Sequence, residues 1–228
     1  MMLERTRLAV KAVMIDLDGT LLDTAQDLAT AANLTLNELG HEKVDPEIVK
    51  TFIGKGVVNL MRKSFIASTE GEPEDMDAVM DVFDRHYDAV VSKDSRPYPG
   101  VIEGLEAMKS SGFHLACITN KAERFTIPLL KDTGLYGYFE IVLSGDSLPK
   151  KKPDPMPLLH ACRHFGIEPS EMLLIGDSVN DVQAARAAGC SVFCVPYGYN
   201  EGNDVRELDS DALVESLLDA SGLIEKND

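Results

Sequence analysis

The sequence predicts an α/β fold, a doubly wound Rossmann-like parallel sheet core with an inserted all-helical cap domain. Short apolar runs at residues 12–15, 115–118, 141–143, 173–175 and 192–195 have the unbroken character of strands buried on both faces. Helical spacings lie between most of them, and alternating strand and helix implies parallel strands joined by crossover helices. The interval from Ile15 to Leu115 is far longer than one crossover requires, so something is inserted there.

The insert reads as helical throughout. Leu28, Ala32, Leu36 and Leu39 share one helical face that ends at Gly40, and Asp45 followed by Pro46 offers an N-cap with proline in the first turn. In "FIGKGVVNLM", Gly54 and Gly56 break one helix and admit another. Ala78, Val79, Val82, Phe83, His86, Tyr87 and Val90 form a further amphipathic stripe, and no strand alternation interrupts the segment. The stiff stretch "RPYPG" at 96–100 returns the chain to the α/β pattern. The expected division is therefore a core of residues 1–22 and 97–228 and a cap of residues 23–96.

Beyond the return, Val101, Leu105 and Met108 mark one helix, and Leu158, Leu159, Cys162 and Phe165 mark another. Val182, Ala185 and Ala188 mark a third that ends at a glycine C-cap, Gly189. Residues 122–133 also read as helical, with Pro128 expected to kink that helix or delay its start.

Composition narrows the function. With 228 residues, 44% of them hydrophobic, the chain can bury a large core. Its net charge of -16 repels nucleic acid and anionic membranes at long range, so neither is expected as a partner, and the acidity reads mainly as solubility. No apolar segment approaches the roughly 20 residues that span a bilayer, and the N-terminus lacks a signal-peptide pattern. A cytoplasmic monomer or homodimer is the expectation. The four cysteines form no CxxC pair and read as reduced core residues. His160 and His164, four apart with Cys162 between them, have a zinc-compatible spacing, but no further ligand group is evident nearby, so they read as structural.

In open parallel sheets, ligands gather outside the carboxyl ends of the strands. The first run ends in Asp16 and Asp18, the second in Thr119, Asn120 and Lys121. The third leads to Lys150, Lys151 and Lys152, and the fourth ends in Asp177 and Ser178 with Asp181 close behind. An extended path points Asp16 and Asp18 the same way. Ser178 and Asp181 have the spacing of a capping box. Carboxylates so crowded cannot all ionise in a partly desolvated cleft without a cation, and an oxygen-only donor set favours Mg2+. Thr119, Asn120 and Lys152 offer a hydroxyl, an amide and a positive charge to a phosphoryl group. Together they suit phosphoryl transfer, with Asp16 the candidate nucleophile and Asp18 the candidate acid/base.

The segments "DLDGTLLDT", "CITN", "KKPDP" and "GDSVND" resemble, in order and context, the four motifs of the haloacid dehalogenase-like hydrolases. The match spans nearly the whole chain. The resemblance implies a mobile cap over the site, Asp16 as nucleophile and magnesium ligand, and Asp18 as acid/base that ligates magnesium through its carbonyl. It further implies Thr119 and Lys152 as phosphate binders, Asp177 as the third protein ligand and Asp181 as a supporting carboxylate. Within the family, "YPGV", "GDSVNDVQAARAAGC" and "PYGYN" are most similar to the branch that acts on 2-phosphoglycolate. Such a substrate needs a cation for its carboxylate, and Lys55 in the cap is the candidate, with Arg62 and Lys63 as competitors.

Other readings of the constellation are a sugar-phosphate phosphatase, a phosphomutase resembling beta-phosphoglucomutase, a dehalogenase and a phosphoaspartate signalling module. A dehalogenase gives Asp18 no task. In receiver-type signalling modules the phosphorylated aspartate stands at a later strand end, whereas here the acid pair comes first and a helical insert follows.

Overall fold

The computed structural model describes residues 7–54, 56–200 and 202–227. Six strands make the central sheet: β1 (Ala12–Ile15), β2 (His114–Ile118), β3 (Ile141–Leu143), β4 (Met172–Gly176), β5 (Ser191–Cys194) and β6 (Ala212–Leu213). Their order across the sheet is β3-β2-β1-β4-β5-β6, with every neighbouring pair parallel. The chain starts at the centre and works outward in both directions, so the carboxyl end of β1 lies at the topological switch point where such sheets open a crevice.

The insert supplies α1 (Ala25–Glu38), α2 (Pro46–Lys50), α3 (Val57–Thr69) and α4 (Met76–Val90). The core supplies α5 (Val101–Ser110), α6 (Glu123–Asp132), α7 (Met156–Phe165), α8 (Val179–Ala188) and α9 (Leu217–Gly222). The strand period of two divides the core into two layers. Val13, Ile15, Leu115, Cys117, Leu173 and Ile175 pack beneath α5, α6 and α9. Ala12, Met14, Ala116, Ile118, Met172 and Leu174 pack against α7 and α8. Both faces are covered, which is why the strands are apolar without alternation.

Local chemistry sets the helix ends. Asp45 caps α2 by accepting from the Glu47 amide at 2.9 Å, with Pro46 in the first turn. Gly189 ends α8 in the left-handed conformation. Pro128 neither delays nor ends α6, which starts at Glu123 and runs on to Asp132; the proline sits on the exposed side of that helix. Three short pairings escape sequence periodicity. They are β6 at the sheet edge, the parallel pair Leu8–Val10 with Ile224–Lys226, and the antiparallel pair Leu22–Asp23 with Arg96–Pro97.

The last of these brings the two connections between insert and core side by side. Asp27, fully buried in α1, reinforces the junction by accepting from the Asp94 amide at 2.9 Å, the Ser95 amide at 3.0 Å and the Ser95 hydroxyl at 2.6 Å. Phe125 of α6 crosses from the core into the apolar cluster of the insert, where its ring meets Tyr87 edge-on at 4.8 Å. No helix among the described residues is long and apolar enough to cross a membrane.

Hydrogen bonds to a buried carboxylate are strong, and removing the acceptor strands its donors. Asp27→Ala is expected to lower the unfolding free energy by about 2 to 3 kcal/mol, read as a lower urea midpoint at unchanged slope.

Candidate active site

Asp16 emerges from the end of β1, its amide still bonded to the Ile175 carbonyl at 3.0 Å. The chain then turns sharply. Gly19 adopts φ 83°, and a Cβ there would stand 2.3 Å from an Asp177 carboxylate oxygen, so glycine is required twice over. Leu17, Leu21 and Leu22 fasten the turn into the core. Its hydroxyls reach back to the acids: Thr20 donates to Asp177 Oδ1 at 3.1 Å and Thr24 to Asp18 Oδ1 at 2.7 Å.

Lys152 is the buried cation of the cluster. Its ammonium donates to the Ile118 carbonyl and to Asp181 Oδ1, both at 2.7 Å, and stands 2.8 Å from Asp16 Oδ1. The neighbouring lysines are exposed, and Lys150 pairs with Asp154. Ser178 and Asp181 form the expected capping box at the start of α8, with Asp181 Oδ2 accepting from the Ser178 amide at 3.1 Å and hydroxyl at 2.6 Å. Asp181 thus binds Lys152 through one oxygen and Ser178 through the other, which suits it to orienting Lys152.

Asp177 accepts from the Tyr199 amide as well as from Thr20. The Tyr199 hydroxyl donates to Asp23 and accepts from the amides of Thr24 at 2.9 Å and Ala25 at 3.0 Å. It thereby occupies the start of α1, which its own N-cap Thr24 leaves without a side-chain acceptor. Gly198 permits this approach, since a Cβ there would lie 2.3 Å from Asp177.

Thr119 is buried, its hydroxyl oxygen accepting from the Lys121 amide at 3.2 Å and keeping its hydrogen for another acceptor. Asn120 donates to the Lys152 carbonyl at 2.8 Å, tying the lysine loop to β2, while its Oδ1 is buried without a partner. Lys55 lies outside the described residues. Arg62 and Lys63 are not among the residues lining the cavity; Arg62 lies 3.8 Å from Glu72 and Lys63 lies over the Phe52 ring.

Sequence reasoning placed Lys121 at the end of the second strand but gave it no role. This side chain is buried, 2.9 Å from Asp18 Oδ1, with its ammonium 4.7 Å from the centre of the Tyr87 ring. Burial opposes its charge, but Asp18 and Tyr87 outweigh burial and hold it above the ordinary lysine range. A buried lysine directly after a strand end was the available signal. Thr20, Thr24 and Tyr199 gave none, because their partners are remote or ordinary in sequence.

Asp16, Asp18, Thr119, Lys121, Lys152 and Asp177 line one cavity of about 300 Å³, closed on its far side by Ile53, Leu60 and Tyr87 of the insert. Burial pushes the Asp16 carboxyl up to about 7; Lys152 opposes this and Asp181 adds to it. Burial, with Asp16 and Asp181, raises Asp177 well above the carboxylate range. Asp16, Asp177 and Asp181 bring ligand oxygens within 4.8 Å of one another, the one such group among the described residues. Asp16 Oδ1 is also buried, with the Lys152 ammonium 2.8 Å away. A set of hard oxygen donors whose ionisation burial resists fits a small divalent cation.

Fold and site together define an α/β enzyme core with a carboxylate-lined cavity at its switch point and a helical insert over it. The chain belongs to the haloacid dehalogenase-like hydrolases, whose family profile matches residues 13–195. It is 60% identical over 222 residues to the phosphoglycolate phosphatase of Nitrosospira multiformis, covering 96% of this chain and 98% of that one. It is 58% identical over 221 residues to the phosphoglycolate phosphatase of Thiobacillus denitrificans, covering 96% and 97%. Among solved structures, one described as a predicted phosphoglycolate phosphatase from Haemophilus somnus 129PT superposes with a TM-score of 0.86 at 33% identity, covering 92% of this chain and 96% of that one.

The folded protein holds the Asp16 proton more tightly than the unfolded chain, whose carboxyl titrates near 3.8. The contribution of this group to stability therefore falls as pH rises from about 4 to about 7 and levels off above. A cation that binds the ionised cluster reverses the loss. Magnesium is expected to raise Tm by about 3 °C or more at pH 8 and by less at pH 5.5. Asp16→Asn should raise the cation-free Tm at pH 8 and shrink the magnesium increment. Calorimetry with EDTA or magnesium reads both, and a pH-independent increment would count against the cluster as the binding site.

Proposed function

We propose that the protein is a magnesium-dependent phosphomonoester hydrolase that converts 2-phosphoglycolate and water to glycolate and phosphate. The observation that carries this reading is the 60% identity, over nearly all of both chains, to a phosphoglycolate phosphatase. The cavity supports it by placing the Asp16 carboxyl beside a buried ammonium.

Asp16 attacks phosphorus and the bond to the glycolate oxygen breaks, leaving an aspartyl-phosphate. Asp18, steadied by Thr24 and Lys121, gives its proton to the departing oxygen. It then takes a proton from the water that attacks the aspartyl-phosphate, and the bond between phosphorus and Asp16 breaks. Lys152, fixed by Ile118 and Asp181, and the Thr119 hydroxyl bind the phosphoryl oxygens. Asp16, the Asp18 carbonyl and Asp177 would hold magnesium, which supplies charge neutralisation at the phosphoryl group. Residues 23–96 act as a cap that excludes bulk water while the acyl phosphate exists.

A panel of phosphate esters assayed with magnesium tests this reading. For 2-phosphoglycolate, kcat/KM is expected to exceed that for hexose and nucleotide monophosphates by at least about tenfold. EDTA should abolish turnover and magnesium restore it. Equal rates across the panel would contradict the substrate, and phosphate retained on a sugar product would indicate a mutase.

A further inference from the structure

A phosphate ester with a carboxylate two bonds from its ester oxygen presents two anions very close together. Lys152 is committed to the phosphoryl side, because the Ile118 carbonyl, Asp16 and Asp181 surround its ammonium. The second anion needs donors on the leaving-group side, and Asp18, which serves the ester oxygen, marks where that side lies.

Two donors converge there. Lys121 stands 2.9 Å from Asp18 Oδ1, and an ammonium with three hydrogens can serve Asp18 and a further acceptor together. Tyr87 of α4 is fully buried in the cavity wall beside this ammonium, which bears on its hydroxyl oxygen, and among the described residues the hydroxyl's own hydrogen has no acceptor. A buried hydroxyl whose hydrogen has no acceptor is costly in a folded protein and calls for one. Burial, against the influence of Lys121, pushes the Tyr87 phenol up to about 12, so it remains a donor at neutral pH. The other described cations at the cavity are placed worse: Arg124 is half exposed and engaged with Asp84, and Lys151 is exposed.

We propose that Lys121 and Tyr87 together form the seat for the substrate carboxylate and so select short phosphate esters with an anion next to the ester carbon. The proposal rests on the phosphoglycolate reading above and moves the specificity contact from Lys55 to Lys121. Lys121 belongs to the core and Tyr87 to the insert, so a carboxylate held by both also joins the two across the cavity. A hexose phosphate has no anion at this distance from its ester oxygen and gains nothing from the seat.

The test compares 2-phosphoglycolate with 2-hydroxyethyl phosphate, in which a neutral CH2OH replaces the carboxylate. Lys121→Met keeps an apolar stem against Tyr87, and Tyr87→Phe removes only one hydroxyl and leaves the ring packing in place, so the second variant retains its fold. The kcat/KM ratio of the two esters is expected to fall about 30-fold or more in Lys121→Met and about fivefold in Tyr87→Phe, mainly through KM for phosphoglycolate. Equal losses on both esters in Lys121→Met, with an unchanged ratio in Tyr87→Phe, would reduce Lys121 to a support for Asp18 and overturn the proposal. Collapse of the ratio in Lys55→Ala instead would overturn it too. A wild-type enzyme without preference for phosphoglycolate would sink the substrate reading itself, a result distinct from either.

Discussion

The ammonium of Lys152, enclosed by Asp16, Asp181 and the Ile118 carbonyl, is the contact on which the rest of the site depends. A buried charge is tolerable only when paired and hydrogen-bonded. Here one cation faces three buried carboxyls, Asp16, Asp177 and Asp181, so the cluster retains a surplus of negative charge. Burial, with the neighbouring carboxylates adding to it, lifts Asp16 and Asp177, and the surplus makes the site a receptor for positive charge. Membership in the haloacid dehalogenase-like hydrolases agrees with such an arrangement. The sheet topology makes it affordable, because the strand ends that carry these groups all meet at one switch point.

The stretch from Asp16 to Thr24 does more than end a strand in acids. Asp16 and Asp18 face the cavity, Thr20 and Thr24 fix Asp177 and Asp18, and Leu17, Leu21 and Leu22 bind the turn to the core. Leu22 and Asp23 then pair with the returning chain at the entrance to the insert. Tyr199 connects the same places from the other end of the sequence, its amide on Asp177 and its hydroxyl at the start of α1. Any change in how the insert meets the core is thus felt by hydrogen bonds to the carboxylates.

Much of this was legible in the sequence, and the limits have physical causes. Buried parallel strands and amphipathic helices announce themselves by apolar runs and by 3.6-residue stripes, and all five longer strands and the main helices lie where those patterns put them. The pair Leu22–Asp23 with Arg96–Pro97 and β6 are only two residues long, too short to carry a period, and Leu8–Val10 with Ile224–Lys226 is only three. The capping box of Ser178 and Asp181 was readable because it is local. The pairing of Lys121 with Asp18 and Tyr87 was not, because it joins residues far apart in the chain and its lysine looks like an ordinary turn residue. Asn120 shows the converse: an amide suited to phosphate by type is used on the Lys152 backbone. Pro128 does not delay the helix that contains it, which starts at Glu123 and continues past the proline to Asp132.

The account stands on Asp16 as the atom that receives the phosphoryl group. Rapid acid quench during turnover, borohydride reduction and peptide mass spectrometry test this directly, because reduction converts an aspartyl-phosphate to homoserine. Homoserine at position 16, dependent on magnesium and absent from Asp16→Asn, is the expected result. Homoserine at Asp18 or Asp177, or full turnover by Asp16→Asn, would contradict it.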